Sequence, residues 1–98
     1  MIIHLVRFTS ALPGERVQEL FELRAHEYER VPGLLQKYYL RYETGEYGGV
    51  YVWDSPASMR SFRASELSRS ICDVYRVQES TIDVAEVVLE VRARSQLA

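Results

Sequence analysis

Hydrophobic and polar positions change their period several times along the chain, and each change marks an element. Ile2 to Phe8 is short, apolar and β-branched at several positions, which predicts a first strand. Pro13-Gly14 follows, and from Glu15 the period becomes helical: Val17, Leu20, Phe21, Arg24, Tyr28 and Val31 recur at spacings of three and four, until Pro32-Gly33 stops the helix. Leu34 to about Glu43 reads as a second strand. Thr44-Gly45-Glu46 turns the chain into a third strand that ends near Asp54. Asp54 or Ser55 can cap the next helix, with Pro56 preorganised for its first turn and Met59 and Phe62 on its apolar side.

The stretch from Ser65 to Cys72 predicts a short helix or helical bend, and Tyr75 to Val77 the beginning of extended structure. Strict alternation from Ile82 to Val91 predicts a long final strand, in which Asp83, Ala85, Val87, Leu89 and Val91 form an almost wholly apolar face. Residues 92–98 read as a frayed tail. The order strand, helix, strand, strand, helix, strand is the ferredoxin-like α+β arrangement, βαββαβ with one antiparallel sheet, as a single domain over residues 1–98. Helices can cover only one face of such a sheet. Because both faces carry apolar or aromatic residues, the other face is expected to meet a second subunit, giving a homodimer through sheet faces.

Composition narrows the partners. A formal charge of -2 provides no electrostatic reason to expect nucleic acid, and no apolar run approaches a membrane span. The start MIIHLVRF lacks the features of a signal peptide, so the cytoplasm is the expected location. Cys72 is the single cysteine; between Ile71 and Val74 it is expected to be a small buried residue. With only His4 and His26, one chain cannot supply a three-histidine metal site.

The chemistry concentrates in the central hairpin. Lys37, Tyr39, Arg41 and Glu43 alternate onto one face of the second strand, and Tyr51 and Trp53 share a face of the third. Tyrosine hydroxyls can donate to a carbonyl or phenolate, Trp53 can stack on a planar ring, and Lys37 can neutralise developing negative charge. Such a face suits either a ligand cavity or a subunit interface, where aromatics and arginine are also enriched. Arg24, flanked by Phe21 and Tyr28, must pair, reach solvent along its stem, or serve an anion in a pocket. His4 lies between Ile3 and Leu5, either as a satisfied interior histidine or as an acid-base group; His26 is expected at the surface. Gly48-Gly49 is too short for a phosphate loop and predicts a bulge or a close backbone approach.

Pro32-Gly33-Leu34-Leu35-Gln36-Lys37-Tyr38-Tyr39, with Glu43, Gly48-Gly49-Val50-Tyr51-Val52-Trp53 and Ser55, resembles the mono-oxygenase subgroup of the dimeric α/β-barrel superfamily, in the branch typified by a small bacterial stress-associated protein. The resemblance implies a homodimer whose sheets pack as a barrel, with a cavity between sheet and helices in each subunit. Better-known relatives oxidise aromatic or polyketide compounds with dioxygen and without flavin, haem or metal; others degrade haem or isomerise, so the fold does not select the chemistry. On the mono-oxygenase reading no cofactor is needed and an electron-rich small molecule supplies the electrons. His4 is then the base, Arg24 and Lys37 the charge stabilisers, and Tyr39, Tyr51 and Trp53 the substrate-orienting groups. A non-catalytic ligand-binding or stress-response dimer, and an isomerase, are the alternatives.

Overall fold

The computed structural model describes residues 1–94. Four strands and four helices follow one another as β1 (Ile2–Ser10), α1 (Gly14–Tyr28), β2 (Leu34–Arg41), β3 (Tyr47–Trp53), α2 (Pro56–Arg63), α3 (Glu66–Arg69), α4 (Ile71–Val74) and β4 (Val77–Glu86). All neighbouring strands are antiparallel in the order β2-β3-β1-β4, the ferredoxin-like arrangement expected.

Local chemistry accounts for most boundaries. Ser55 caps α2 by accepting from the Ser58 amide at 3.2 Å, and Pro56 opens the helix where a missing N–H costs nothing. α1 stops at Tyr28, three residues before the expected end at Val31, because Pro32 disfavours helical geometry in the residue before it. Gly33 follows at φ +80°, left-handed backbone open to glycine, and a side chain there would collide with Ser58 and Asp54. Ser65 to Cys72 resolves into the single-turn helices α3 and α4.

The final strand differs from its expected span. It runs from Val77 to Glu86, where alternation alone predicted Ile82 to Val91. Pairing with β1 is the reason: Ser10 faces Val77 at one end and Ile2 faces Glu86 at the other, so past Glu86 the chain finds no further strand to pair. A single bond from the Val87 amide to the Met1 carbonyl at 2.9 Å ends the ladder. Of the expected frayed tail, 92–94 carry no regular structure and 95–98 lie outside the described residues.

The helices pack on one sheet face. Ile2, Tyr28, Tyr51, Trp53, Met59 and Phe62 form one part of the core, and Phe8, Val17, Phe21 and Tyr75 the other. The alternate side chains, among them Ile3, Leu5, Val50 and Val52, look away from the helices and are only half-buried. Gly48 packs against the β1 backbone: a Cβ there would sit 2.2 Å from the Val6 carbonyl oxygen. This is the close approach, without a bulge at either glycine; the register shifts fall at Leu34/Gln36 and Thr9/Ser10 instead. No helix among the described residues is long and apolar enough to cross a membrane.

Candidate functional site

Strand register lines up three of the nominated residues in one row. Lys37 of β2 faces Tyr51 of β3, which faces His4 of β1, all on the helix-covered side. The next row toward the hairpin turn is Tyr39, Gly49 and Val6, and the row on the other side holds Trp53 and Ile2. Interface and cavity were both open for this face; the covering helices make it an interior face. Arg41, at the strand end, is exposed, and Glu43 lies past β2 in the turn region.

His4 is buried and its ring stacks on Tyr51 at 4.8 Å between centroids. The Trp53 indole N–H donates to His4 Nδ1 at 3.4 Å. An indole nitrogen can only donate, so Nδ1 accepts and the neutral ring carries its proton on Nε2. Nε2 is buried and has no partner. Burial, then the cations Arg63 and Lys37, push the imidazole down to about 4, so it is neutral at pH 7.

The His4 ring borders a cleft of about 210 Å³ between β1, β4 and the α2–α4 segment. Phe8, Phe62, Ile71 and Ile82 give it apolar walls, while Arg63 and Ser80 add polar groups. Cys72 also borders it and is exposed rather than buried: in the single-turn α4, flanking Ile71 and Val74 turn toward the core and Cys72 away from it.

On the other side of Tyr51, Lys37 Nζ sits inside a cage of ring faces, 3.2 Å from the centroid of Tyr28, 4.2 Å from Tyr39 and 4.5 Å from Tyr51. Burial, then Arg24, push this amine down to about 6. The ring faces act the other way, since their negative quadrupoles favour the ammonium. The outcome is an amine that changes charge close to neutral pH. Burial pushes the Tyr39 and Tyr51 hydroxyls well above the usual phenol range, so both remain neutral donors, and the Tyr39 hydroxyl has no partner.

Arg24 is half-buried and is not among the residues that line the cleft. Its Nη2 donates to Ser70 Oγ at 2.8 Å and its guanidinium lies 5.7 Å from the Tyr75 ring, tying α1 to the α3–α4 junction. Trp53 is wholly buried and contributes to the core as well as to His4. His26 is exposed, as its place on the outer side of α1 predicted.

Tyr28 and Phe62 were read from the sequence only as core positions, and neither they nor Arg63 as site residues. Tyr28 could have been, because it shares the apolar stripe with Arg24; Arg63 carried no signal until the cleft beside it existed. Among the described residues, no group of three or more His, Cys, Asp or Glu side chains gathers as a metal site.

No family model matches the chain. No curated protein matches it either. Solved structures do. SnoaB, a cofactor-independent oxygenase from Streptomyces nogalater, superposes with a TM-score of 0.76 at 18% identity over 94% of this chain and 97% of its own. The heme-degrader MhuD from Mycobacterium tuberculosis gives 0.74 at 23% identity over 94% and 100%. A Nitrosomonas europaea protein of unknown function gives 0.73 at 11% over 96% and 95%. The chain therefore has the ferredoxin-like fold that SnoaB and MhuD share.

Proposed function

We propose that the protein is a cofactor-independent mono-oxygenase that oxidises an electron-rich aromatic or polyketide-like small molecule in the His4 cleft. The observation that carries the reading is the buried, unpartnered Nε2–H of His4, a residue that borders an apolar cleft, one ring away from an amine that titrates near neutrality. The fold shared with SnoaB, itself a cofactor-independent oxygenase, supports the same chemistry.

Consider a phenol with a free para position. Its anion is held by the His4 Nε2–H, with Arg63 adding positive charge, while the proton leaves to solvent. A neutral imidazole locked by Trp53 is better suited to donating than to accepting, so His4 serves as anion stabiliser and not as base. The anion passes one electron to dioxygen; the resulting radical and superoxide recombine, forming a C–O bond. Lys37, protonated beside the new anion, gives its proton to the peroxide. The O–O bond breaks, the ring C–H proton leaves, and water and a quinone result. One oxygen atom enters the product, the other the water, and Lys37 is reloaded from solvent. Tyr51, Tyr39 and Trp53 orient the aromatic rings, and Arg24 acts through its field on Lys37.

The same reading includes a homodimer. Ile3, Leu5, Val50 and Val52 lie half-buried on the uncovered face, beside the exposed Leu35 and Tyr38. A second copy laid on this face removes that apolar surface from water.

The test is oxygen uptake with a panel of electron-rich phenols, naphthols and enolisable polyketides after chelation and removal of flavin. Labelled dioxygen is expected to place one labelled atom in the product. Ligand binding in the cleft with no oxygen uptake across the panel would leave a binding protein and overturn the oxygenase. Rearranged substrate with unchanged oxygen content would make it an isomerase.

A further inference from the structure

The row Tyr39, Gly49 and Val6 is the thinnest part of the helix-covered face, because glycine and valine occupy its middle. Below α1 and α4 this thinness leaves a small chamber of about 20 Å³, enough for one molecule the size of water. It adjoins the cleft: Val6, Phe8, Tyr51 and Ile71 border both spaces. An aromatic substrate cannot enter a space so small, yet a diatomic gas can.

We infer that this chamber is the dioxygen site, holding the co-reactant beside the substrate cleft, with Lys37 and Tyr39 in its wall to receive the reduced, anionic form. The inference rests on the oxygenase reading for its use in turnover, but the chamber itself can be probed without substrate. Mostly apolar walls suit neutral dioxygen. Lys37 and the tyrosines Tyr28, Tyr39, Tyr51 and Tyr75 also line the chamber, and two of these groups are suited to an anion. The buried Tyr39 hydroxyl lacks a partner, and Lys37 Nζ lies 4.2 Å from the Tyr39 ring centroid. A buried donor without a protein partner is one that an incoming oxygen anion would satisfy. Uncharged dioxygen therefore enters on its apolar contacts, and superoxide, once formed, gains a hydroxyl donor and an ammonium. No electron is needed beyond the one that the substrate anion supplies.

Gly49 offers the decisive variant. A Cβ there would lie 3.5 Å from Lys37 Cε and 3.8 Å from Tyr51 Cε1, ordinary contacts that fill the chamber without a clash. Dissolved dioxygen is paramagnetic, so NMR relaxation of methyl groups under oxygen pressure reports where it resides. In the wild-type protein, the Val6 and Ile71 methyls are expected to relax faster with oxygen than the methyls of Ile2, which is buried two rows further along the sheet and borders neither the chamber nor the cleft. In Gly49→Ala that excess is expected to vanish while the rest of the spectrum is retained. Equal enhancement at Ile2 in the wild-type protein, or an excess that survives in Gly49→Ala, would overturn the site, and the first of these needs no variant. Turnover separates the two proposals. A raised KM for dioxygen at unchanged KM for the aromatic in Gly49→Ala supports the coupling; an unchanged KM for dioxygen overturns it. Oxygen residing in the chamber of a protein that oxidises nothing would refute the oxygenase and leave only the gas site.

Discussion

Lys37 and His4 answer burial in the same direction but over different pH windows, and can be told apart by pH. A lysine whose pKa falls from 10.5 to about 6 on folding binds its proton less tightly in the native state than in the unfolded chain. Between those values the unfolded chain holds more protons, so stability rises with pH across that window, and the burial penalty is complete below about 6. His4, lowered from 6.5 to about 4, adds a second rise over its own lower window and a loss of stability on acidification through it. Urea titrations at a series of pH values are expected to show both rises; Lys37→Met should flatten the upper one and leave the lower. A profile unchanged by Lys37→Met would mean that Lys37 keeps an ordinary pKa. In turnover, the same variant is expected to divert oxygen uptake toward released hydrogen peroxide and to lower product formation by about 10²–10⁴-fold, the usual worth of a positioned proton donor. Lys37→Arg, which keeps a charge but cannot yield its proton, should not restore product.

The two adjacent glycines of β3 have different reasons to be glycine. Gly48→Ala drives a Cβ to 2.2 Å from the Val6 carbonyl oxygen, so β1 and β3 must separate, at a cost of about 1–3 kcal/mol or more. Gly49→Ala meets only ordinary contacts and should leave the denaturation midpoint close to wild type. Equal losses in the two variants would show that strand propensity, and not backbone approach, governs the pair. At the start of α2, Ser55→Ala removes the acceptor for the Ser58 amide and is expected to cost about 1 kcal/mol in chemical denaturation. β4 carries a related lesson. Its position is set by the length of β1 rather than by its own alternation, which continues beyond the last residue that can pair.

One sheet with helices on one side leaves an apolar face uncovered, which the proposed dimer would bury. Val50 lies near the middle of that face, half-buried, where a carboxylate could remain hydrated in a lone subunit but not between two packed sheets. Val50→Asp is therefore expected to turn a dimer into a folded monomer, read by light scattering across a dilution series. A wild-type chain that scatters as a single subunit at high concentration would remove the dimer. Beyond β4, Val88, Leu89 and Val91 are also strongly exposed, and the dimer is expected to shield them from solvent, measurable as slowed hydrogen exchange relative to Val50→Asp.

Alternation and turn chemistry are local, and they were enough to read the order of elements, the hairpin, the Ser55–Pro56 helix start and the company that Lys37 keeps with Tyr39, and Tyr51 with Trp53. They say which side chains share a face, because a strand has a period of two whatever lies above it. Which face the helices cover is not local. It depends on where α1 and α2 land, and that turned the aromatic hairpin from a possible interface into an interior wall. The row Lys37, Tyr51, His4 likewise exists only through pairing between strands distant in sequence, as does the tautomer that Trp53 imposes on His4. The span of β4, the exposure of Cys72 and the cleft bordered by Arg63 arise in the same way: each depends on the length, register or placement of a neighbouring segment, which no window of residues contains.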